Sequence, residues 1–326
     1  MKKALRIVLA SILTLSVLAL SGCNNKAADT SSDITSAENT QSTVSTAAET
    51  ADTAKETETE PASNKPAILV VSFGTSYNET REATIGAIEN KIAEDYPEYQ
   101  VRRAFTSQTI IDKLKKRDNL EIDNVEQALE RLVSDGVKTL IVQPTHLMNG
   151  YEYDDLAAAV ETYKEKFDKV ALGHPLLTSD KDLEAVAAAL PEITKEYNTD
   201  GTAIVFMGHG TEHDSNNVYT KLQDTLTKTK NNNYFIGTVE ATPTLDDTIE
   251  AVKKGGYKKV VLQPLMVVAG DHANNDMAGD SDDSWASVFS SKGFEVECVL
   301  SGLGEFPEIQ EIYAEHVGEA IKSLEK

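Results

Sequence analysis

The chain has 326 residues, 40% of them apolar, enough for one large domain or two smaller ones. A formal net charge of −22 lacks the basic footprint that nucleic-acid binding requires, so no nucleic-acid partner is expected. There are two cysteines, Cys23 and Cys298, at most one pair, which excludes a disulfide-dense scaffold.

The first 23 residues, MKKALRIVLASILTLSVLALSGC, place Lys2, Lys3 and Arg6 ahead of an apolar run that closes on Leu20-Ser21-Gly22-Cys23. This is the layout of a secretory signal, and the run is short for a membrane span. The Leu-Ser-Gly-Cys ending resembles a bacterial lipobox. That resemblance implies lipidation at Cys23 and an extracytoplasmic protein anchored by lipid to a bacterial membrane. Residues 24–65 are rich in Ser, Thr, Ala, Asp and Glu and nearly free of large apolar side chains. Such a segment buries too little surface to offset its ordering entropy and reads as a disordered acidic linker.

From Pro66 short Val/Ile/Leu-rich runs alternate with helical stretches, an α/β pattern. Strands are expected at Ala67–Phe73, Gln100–Phe105, Lys138–Gln143 and Lys169–Leu172, then at Thr202–Met207, Tyr234–Val239, Lys258–Gln263 and Phe294–Val299. Helices are expected at Glu79–Asp95, Val125–Ser134, Tyr153–Lys166, Asp182–Leu190 and Glu308–Leu324, among others. Apolar runs without alternation indicate parallel sheets buried on both faces. Cys298 lies in one of them, FEVECVL, and reads as a buried, inert thiol.

The plan is written twice. AILVVSFGTSYN (Ala67–Asn78) parallels AIVFMGHGTEHD (Ala203–Asp214), and AFTSQTIID (Ala104–Asp112) parallels VEATPTLDD (Val239–Asp247). DGVKTLIVQPTHLMNGYEYDD (Asp135–Asp155) parallels GGYKKVVLQPLMVVAGDHANND (Gly255–Asp276), with Pro144 and Pro264 each followed six residues later by glycine. Two lobes are expected, residues 66–195 and 196–326, with parallel sheets flanked by helices and a cleft between them. Ligands of such sheets sit beyond the carboxyl ends of the strands.

Between the copies, Phe73 becomes His209, Phe105 becomes Glu240 and Glu152 becomes His272. All three second-lobe residues follow predicted strands, so they should gather at one sheet edge. Two imidazoles and a carboxylate suit a divalent transition metal with coordination positions left open. His209-Gly-Thr-Glu212-His213 also spells the inverted zinc-peptidase pattern. That pattern needs both histidines on one helical face, whereas His209 follows a strand between two glycines. Gly208 and Gly210 lack the third glycine or the Gly-Lys-Ser/Thr of a phosphate loop.

VVSFGTSYNETRE, QPTHLMNGYEYDDL, MGHGTEHDSNNVY, GTVEATPTLDD and LQPLMVVAGDHANNDMAGDSDDSW together resemble the anaerobic sirohydrochlorin cobaltochelatases of the cobalamin pathway. The resemblance covers about residues 66–326. It implies a class II tetrapyrrole chelatase, related to ferrochelatase, that inserts Co(II) into sirohydrochlorin or a related tetrapyrrole without ATP. It implies His209 and His272 as metal-binding histidines and Glu240 as the acidic partner, either ligand or proton acceptor. Phe73, Phe105, His146 and Glu152 are candidates to face the ring from the first lobe, or to be scaffold. Arg81 and Lys221 are candidates to receive its carboxylates. Cobalamin synthesis is cytoplasmic, so the export leader keeps a second reading open: an extracytoplasmic tetrapyrrole-, haem- or metal-binding lipoprotein for scavenging or delivery.

Overall fold

The computed structural model describes residues 65–325. The leader, Cys23 and nearly all of the acidic linker lie outside the described residues. Among the described residues, no helix is long and apolar enough to cross a membrane.

Eight strands form two parallel four-stranded sheets. The first, β2-β1-β3-β4, contains β1 (Ala67–Ser72), β2 (Gln100–Phe105), β3 (Thr139–Pro144) and β4 (Lys169–Leu172). The second, β6-β5-β7-β8, contains β5 (Thr202–Gly208), β6 (Tyr234–Thr238), β7 (Lys259–Pro264) and β8 (Glu295–Cys298). Strand order is the same in both, so the duplication read in the sequence is a duplication of topology. Every residue of β1 and β5 is buried, which is why these runs show no alternation.

The first half carries α1 (Asn78–Arg81), α2 (Ala87–Asp95), α3 (Gln108–Asp118), α4 (Val125–Ser134), α5 (Tyr151–Tyr163) and α6 (Asp180–Ile193). The second carries α7 (Asn217–Lys228), α8 (Leu245–Gly255), α9 (Trp285–Ser291) and α10 (Pro307–Ser323). Local chemistry starts several of them. Asn124 with Gln127, and Thr244 with Asp247, form reciprocal capping boxes ahead of α4 and α8.

A boundary at 195/196 separates the sheets but not the helices. The last helix, α10, returns to the first half and packs on α2, β3 and β4. Tyr313 donates to the carbonyl of Thr145 at 2.9 Å, and Tyr96 of the first half donates to Ala314 at 2.8 Å. Conversely, α6 packs on α7, and Thr194 at its end meets the Tyr234 hydroxyl of β6 at 2.8 Å. One apolar cluster therefore runs through both halves, from Ile68 and Val70 to Ile204 and Phe206. Single-strand patterning shows which face is apolar, but not which sheet the face meets.

Candidate metal centre

His209 is the first residue after β5, held between two glycines that have separate reasons to be there. A Cβ on Gly208 would lie 2.3 Å from Cε1 of the buried Tyr219 ring. Gly210 has φ +86°, a left-handed turn, and a Cβ there would lie 2.7 Å from the backbone nitrogen of Ala241. The Tyr219 hydroxyl accepts from the Gly210 amide at 3.2 Å. Burial pushes this phenol up to about 12, so it stays neutral. The turn is thus a fixed mount for one imidazole rather than a phosphate cradle.

Glu240 is delivered by an extension of the β5–β6 pairing. Val239 donates to the carbonyl of Gly208 at 3.0 Å and Glu240 to that of His209 at 2.9 Å. In the first lobe the same two rungs are made by Thr106 to Ser72 and Ser107 to Phe73. The counterpart of Glu240 is therefore Ser107, and Phe105 pairs with Ser72 as Thr238 pairs with Gly208. The expected exchange of Phe105 for Glu240 is corrected on this register. Glu240 sits on a longer loop, because helix α8 is capped at Thr244, six residues past β6, while α3 is capped at Ser107, two residues past β2.

His272 follows Gly270 in the first helical turn beyond β7, directly before a π turn at Ala273–Met277. Its ring lies 4.6 Å from that of His209, at 88°. His209 Nδ1 lies 3.8 Å from Glu240 Oε2. One ligand atom from each of His209, Glu240 and His272 fits within 4.8 Å of the others, and among the described residues this is the group of its kind. Both rings have Nδ1 against an acceptor: the Gly210 carbonyl at 2.8 Å for His209, and Asp276 Oδ2 at 2.5 Å for His272. A carbonyl and a carboxylate only accept, so each ring carries its hydrogen on Nδ1 and leaves the Nε2 lone pair free. Side-chain exposures of 48%, 56% and 33% leave the trio open on one side.

His213 does not complete a peptidase pair. Its Nδ1 accepts from the Ser215 amide at 3.0 Å, which puts the hydrogen on Nε2, facing Asp154 Oδ2 of the first lobe at 3.3 Å. Its ring also meets the edge of Tyr151 at 5.0 Å. A related contact joins Tyr77, whose hydroxyl donates to Asp271 Oδ1 at 3.5 Å. His213 and Tyr77 are each the third residue after a left-handed glycine, Gly210 and Gly74. Tyr151 and Asp271 each directly follow Gly150 and Gly270. The two strand-end faces are thus clasped by a pair of contacts related by the duplication, which sequence reasoning did not find.

On the first lobe, Phe73 is half exposed in the place His209 takes in the second, and Glu152 is exposed in the first turn of α5. Phe105 is fully buried with Ile85, Ile111 and Leu114, its ring under Gly74. It is core, and offers no surface to a ligand. Both ring nitrogens of His146 are buried and make no hydrogen bond to the protein. Burial pushes His146 down to about 4, against the opposing charge of Glu152, so its imidazole is neutral. Arg81 is buried and committed to Asn78 and Glu82, which removes it as a receiver of ligand carboxylates; Lys221 is exposed on α7. A cavity of about 480 Å³ lies between Ser76–Thr80 with Arg117 on one side and Ala269, Asn274 and Leu300 on the other. Cys298 is half-buried rather than fully enclosed, and burial raises its thiol.

A family model described as Cobalt chelatase (CbiK) matches residues 66–322. The chain belongs to the CbiK cobalt chelatase family. It is 39% identical over 264 residues to the sirohydrochlorin cobaltochelatase of Salmonella typhimurium, covering 79% of this chain and 97% of the relative. It is 34% identical over 263 residues to a sirohydrochlorin cobaltochelatase of Nitratidesulfovibrio vulgaris, covering 80% and 92%. Its fold is that of the sirohydrochlorin chelatase SirB of Bacillus subtilis solved with cobalt, at a TM-score of 0.54 and 15% identity over 80% of this chain and 97% of that one. SirB solved with Fe3+ superposes at a TM-score of 0.56, with 14% identity over 79% and 97%. Within this CbiK-family chain, the second lobe carries the convergent nitrogen and oxygen donors and the first lobe an exposed phenyl and carboxylate.

Proposed function

We propose that the chain is a sirohydrochlorin cobaltochelatase, inserting Co(II) into the tetrapyrrole with release of two protons. The observation that carries this reading is the convergence of His209, Glu240 and His272, with an acceptor against Nδ1 of each imidazole that leaves its Nε2 available. Imidazole nitrogen is a good ligand for cobalt, and a single carboxylate offsets part of the charge. Three protein donors with one open side hold a divalent ion and leave positions for the pyrrole nitrogens. A closed four-ligand cage would retain the metal. Each pyrrole N–H that meets the ion must lose its proton, and Glu240, exposed and beside His209, is placed to accept one. Phe73 offers an apolar face to the macrocycle from the opposite lobe, with Glu152 and the neutral His146 nearby in sequence.

The chain is further proposed to work outside the cytoplasm, held to the membrane through lipid on Cys23. The support is its leader, with Lys2, Lys3 and Arg6, the apolar run and Leu20-Ser21-Gly22-Cys23. That leader also favours a second reading, in which the same cleft binds a tetrapyrrole or metal for delivery. Macrocycle absorbance, followed with purified protein, sirohydrochlorin and Co(II), separates the two. Insertion well above the uncatalysed rate is expected; binding with no acceleration would reject the enzyme and leave the carrier.

A further inference from the structure

Two metal-facing imidazoles have unequal supports. His209 donates from Nδ1 to a neutral backbone carbonyl, Gly210 O, at 2.8 Å. His272 donates to a carboxylate, Asp276 Oδ2, at 2.5 Å. Among the described residues, His272 is the side-chain partner of Asp276.

The backbone is built to put Asp276 there. Counting from Gly150 and Gly270, Asp276 corresponds to Leu156 of the first lobe, which is buried in that lobe's core. Helix α5 continues as a regular α-helix through Leu156. In the second lobe the π turn at Ala273–Met277 adds a residue, and Met277 is the one fully buried against the sheet. The extra residue moves the core position on by one and releases Asp276 to the side of His272. Single π turns recur at functional sites. The turn is pinned: Ala273 is fully buried, Ala278 donates to Ala273 at 3.2 Å, and Asn274 donates from its side chain to Gly270 at 2.7 Å. Gly279 allows the exit, since a Cβ there would lie 2.4 Å from the Asn275 carbonyl.

The geometry points to Asp276 as a positioning residue that fixes the Nδ1–H tautomer of His272 and makes its Nε2 the stronger of the two nitrogen donors to Co(II). The inference rests on the cobalt-site reading above. A carboxylate behind a ligating imidazole orients the ring and raises its basicity, and its loss typically costs 10- to 100-fold in metal affinity. On this account His272 is the ligand that retains the ion, and His209, backed by a neutral carbonyl, is the one better suited to release it.

The test uses the full chain and four variants: Asp276→Ala, Asp276→Asn, His272→Ala and the double variant Asp276→Ala/His272→Ala. Imidazole nitrogen–proton NMR at neutral pH, without metal or tetrapyrrole, reads the ring tautomers. Expected are Nδ1–H at His272 in the wild type, a shift toward Nε2–H in Asp276→Ala, no change at His209, and Nδ1–H retained in Asp276→Asn, whose amide oxygen still accepts. Titration with Co(II) alone should show roughly a 10- to 100-fold loss in Asp276→Ala, a smaller loss in Asp276→Asn, and no further loss when Asp276→Ala is added to His272→Ala. An unchanged tautomer in Asp276→Ala, or losses that multiply in the double variant, would overturn the proposal. A wild type that shows the expected tautomers and Co(II) titrations but does not accelerate insertion would count against the enzyme reading alone and leave Asp276 supported.

Discussion

At strand ends related by the duplication, Phe73 offers a half-exposed phenyl ring and His209 an imidazole with its Nε2 free. The difference was readable because the strands before them, the glycines after them and the spacing all match. Glu152 and His272 match equally well, each two residues past the glycine that ends a six-residue stretch after the strand proline. Glu240 was reached by an alignment that slides: an ungapped comparison puts it opposite Phe105, while backbone pairing puts it opposite Ser107. The local string does not show that the second loop is longer. Asp276 was missed because its partner depends on a π turn, which leaves no compositional mark. His209→Ala and His272→Ala should each weaken Co(II) binding by more than the roughly 100-fold upper end of support-residue losses, read by titration. Glu240→Gln keeps the shape and removes the charge. It should slow insertion more than it weakens tetrapyrrole binding, seen as a fall in kcat with KM little changed.

The elements that aim these residues are short and crowded. Gly208 meets Tyr219, and Tyr219 in turn holds the Gly210 amide. Gly208→Ala should therefore cost about 1–3 kcal/mol by overpacking, measured by denaturant unfolding, and should lower cobalt affinity as well because the His209 turn shifts. The clasps are weaker features. His213 touches Asp154 and Tyr151, and Tyr77 touches Asp271, at partly exposed positions. Such contacts are worth about 0–1 kcal/mol. His213→Ala should leave global stability within that range and raise amide exchange in Gly150–Asp154, read by hydrogen-exchange mass spectrometry. Unaltered exchange there would mean that the lobe faces are held by other contacts. The strands were legible to within a residue, and the fully buried central ones, β1 and β5, show as continuous apolar runs. Contacts between loops of different halves have no such periodic signature.

Across the whole molecule, the exchange of α6 and α10 between the halves makes the two sheets one cooperative body. Its polar tie is buried: His316 of α10 meets Asp182 of α6 through Nε2 at 3.1 Å and the His174 carbonyl through Nδ1 at 3.0 Å. Burial alone would raise the Asp182 carboxyl. Hydrogen bonds from His316 and from the Ser179 amide outweigh that and hold it at about 2. Because this value lies below the ordinary one of about 3.9, the contribution is present above about pH 4 and is lost as pH falls toward 2; the shift corresponds to about 2–3 kcal/mol. Asp182→Asn should lower stability at neutral pH and flatten its decline between pH 4 and 2, followed by unfolding at several pH values. The duplication let the sequence propose two lobes divided at 195/196. The helix exchange was not legible, because an amphipathic helix reveals an apolar face and not its partner.

The proposed cobalt site lies wholly on one lobe of the duplicated scaffold. Anomalous diffraction at the cobalt edge from crystals of the Co(II)-loaded protein locates the ion. A single strong peak is expected within bonding distance of Nε2 of His209, Nε2 of His272 and a carboxylate oxygen of Glu240, with no second site of comparable occupancy. Cobalt bound elsewhere with these three side chains unliganded would contradict the account.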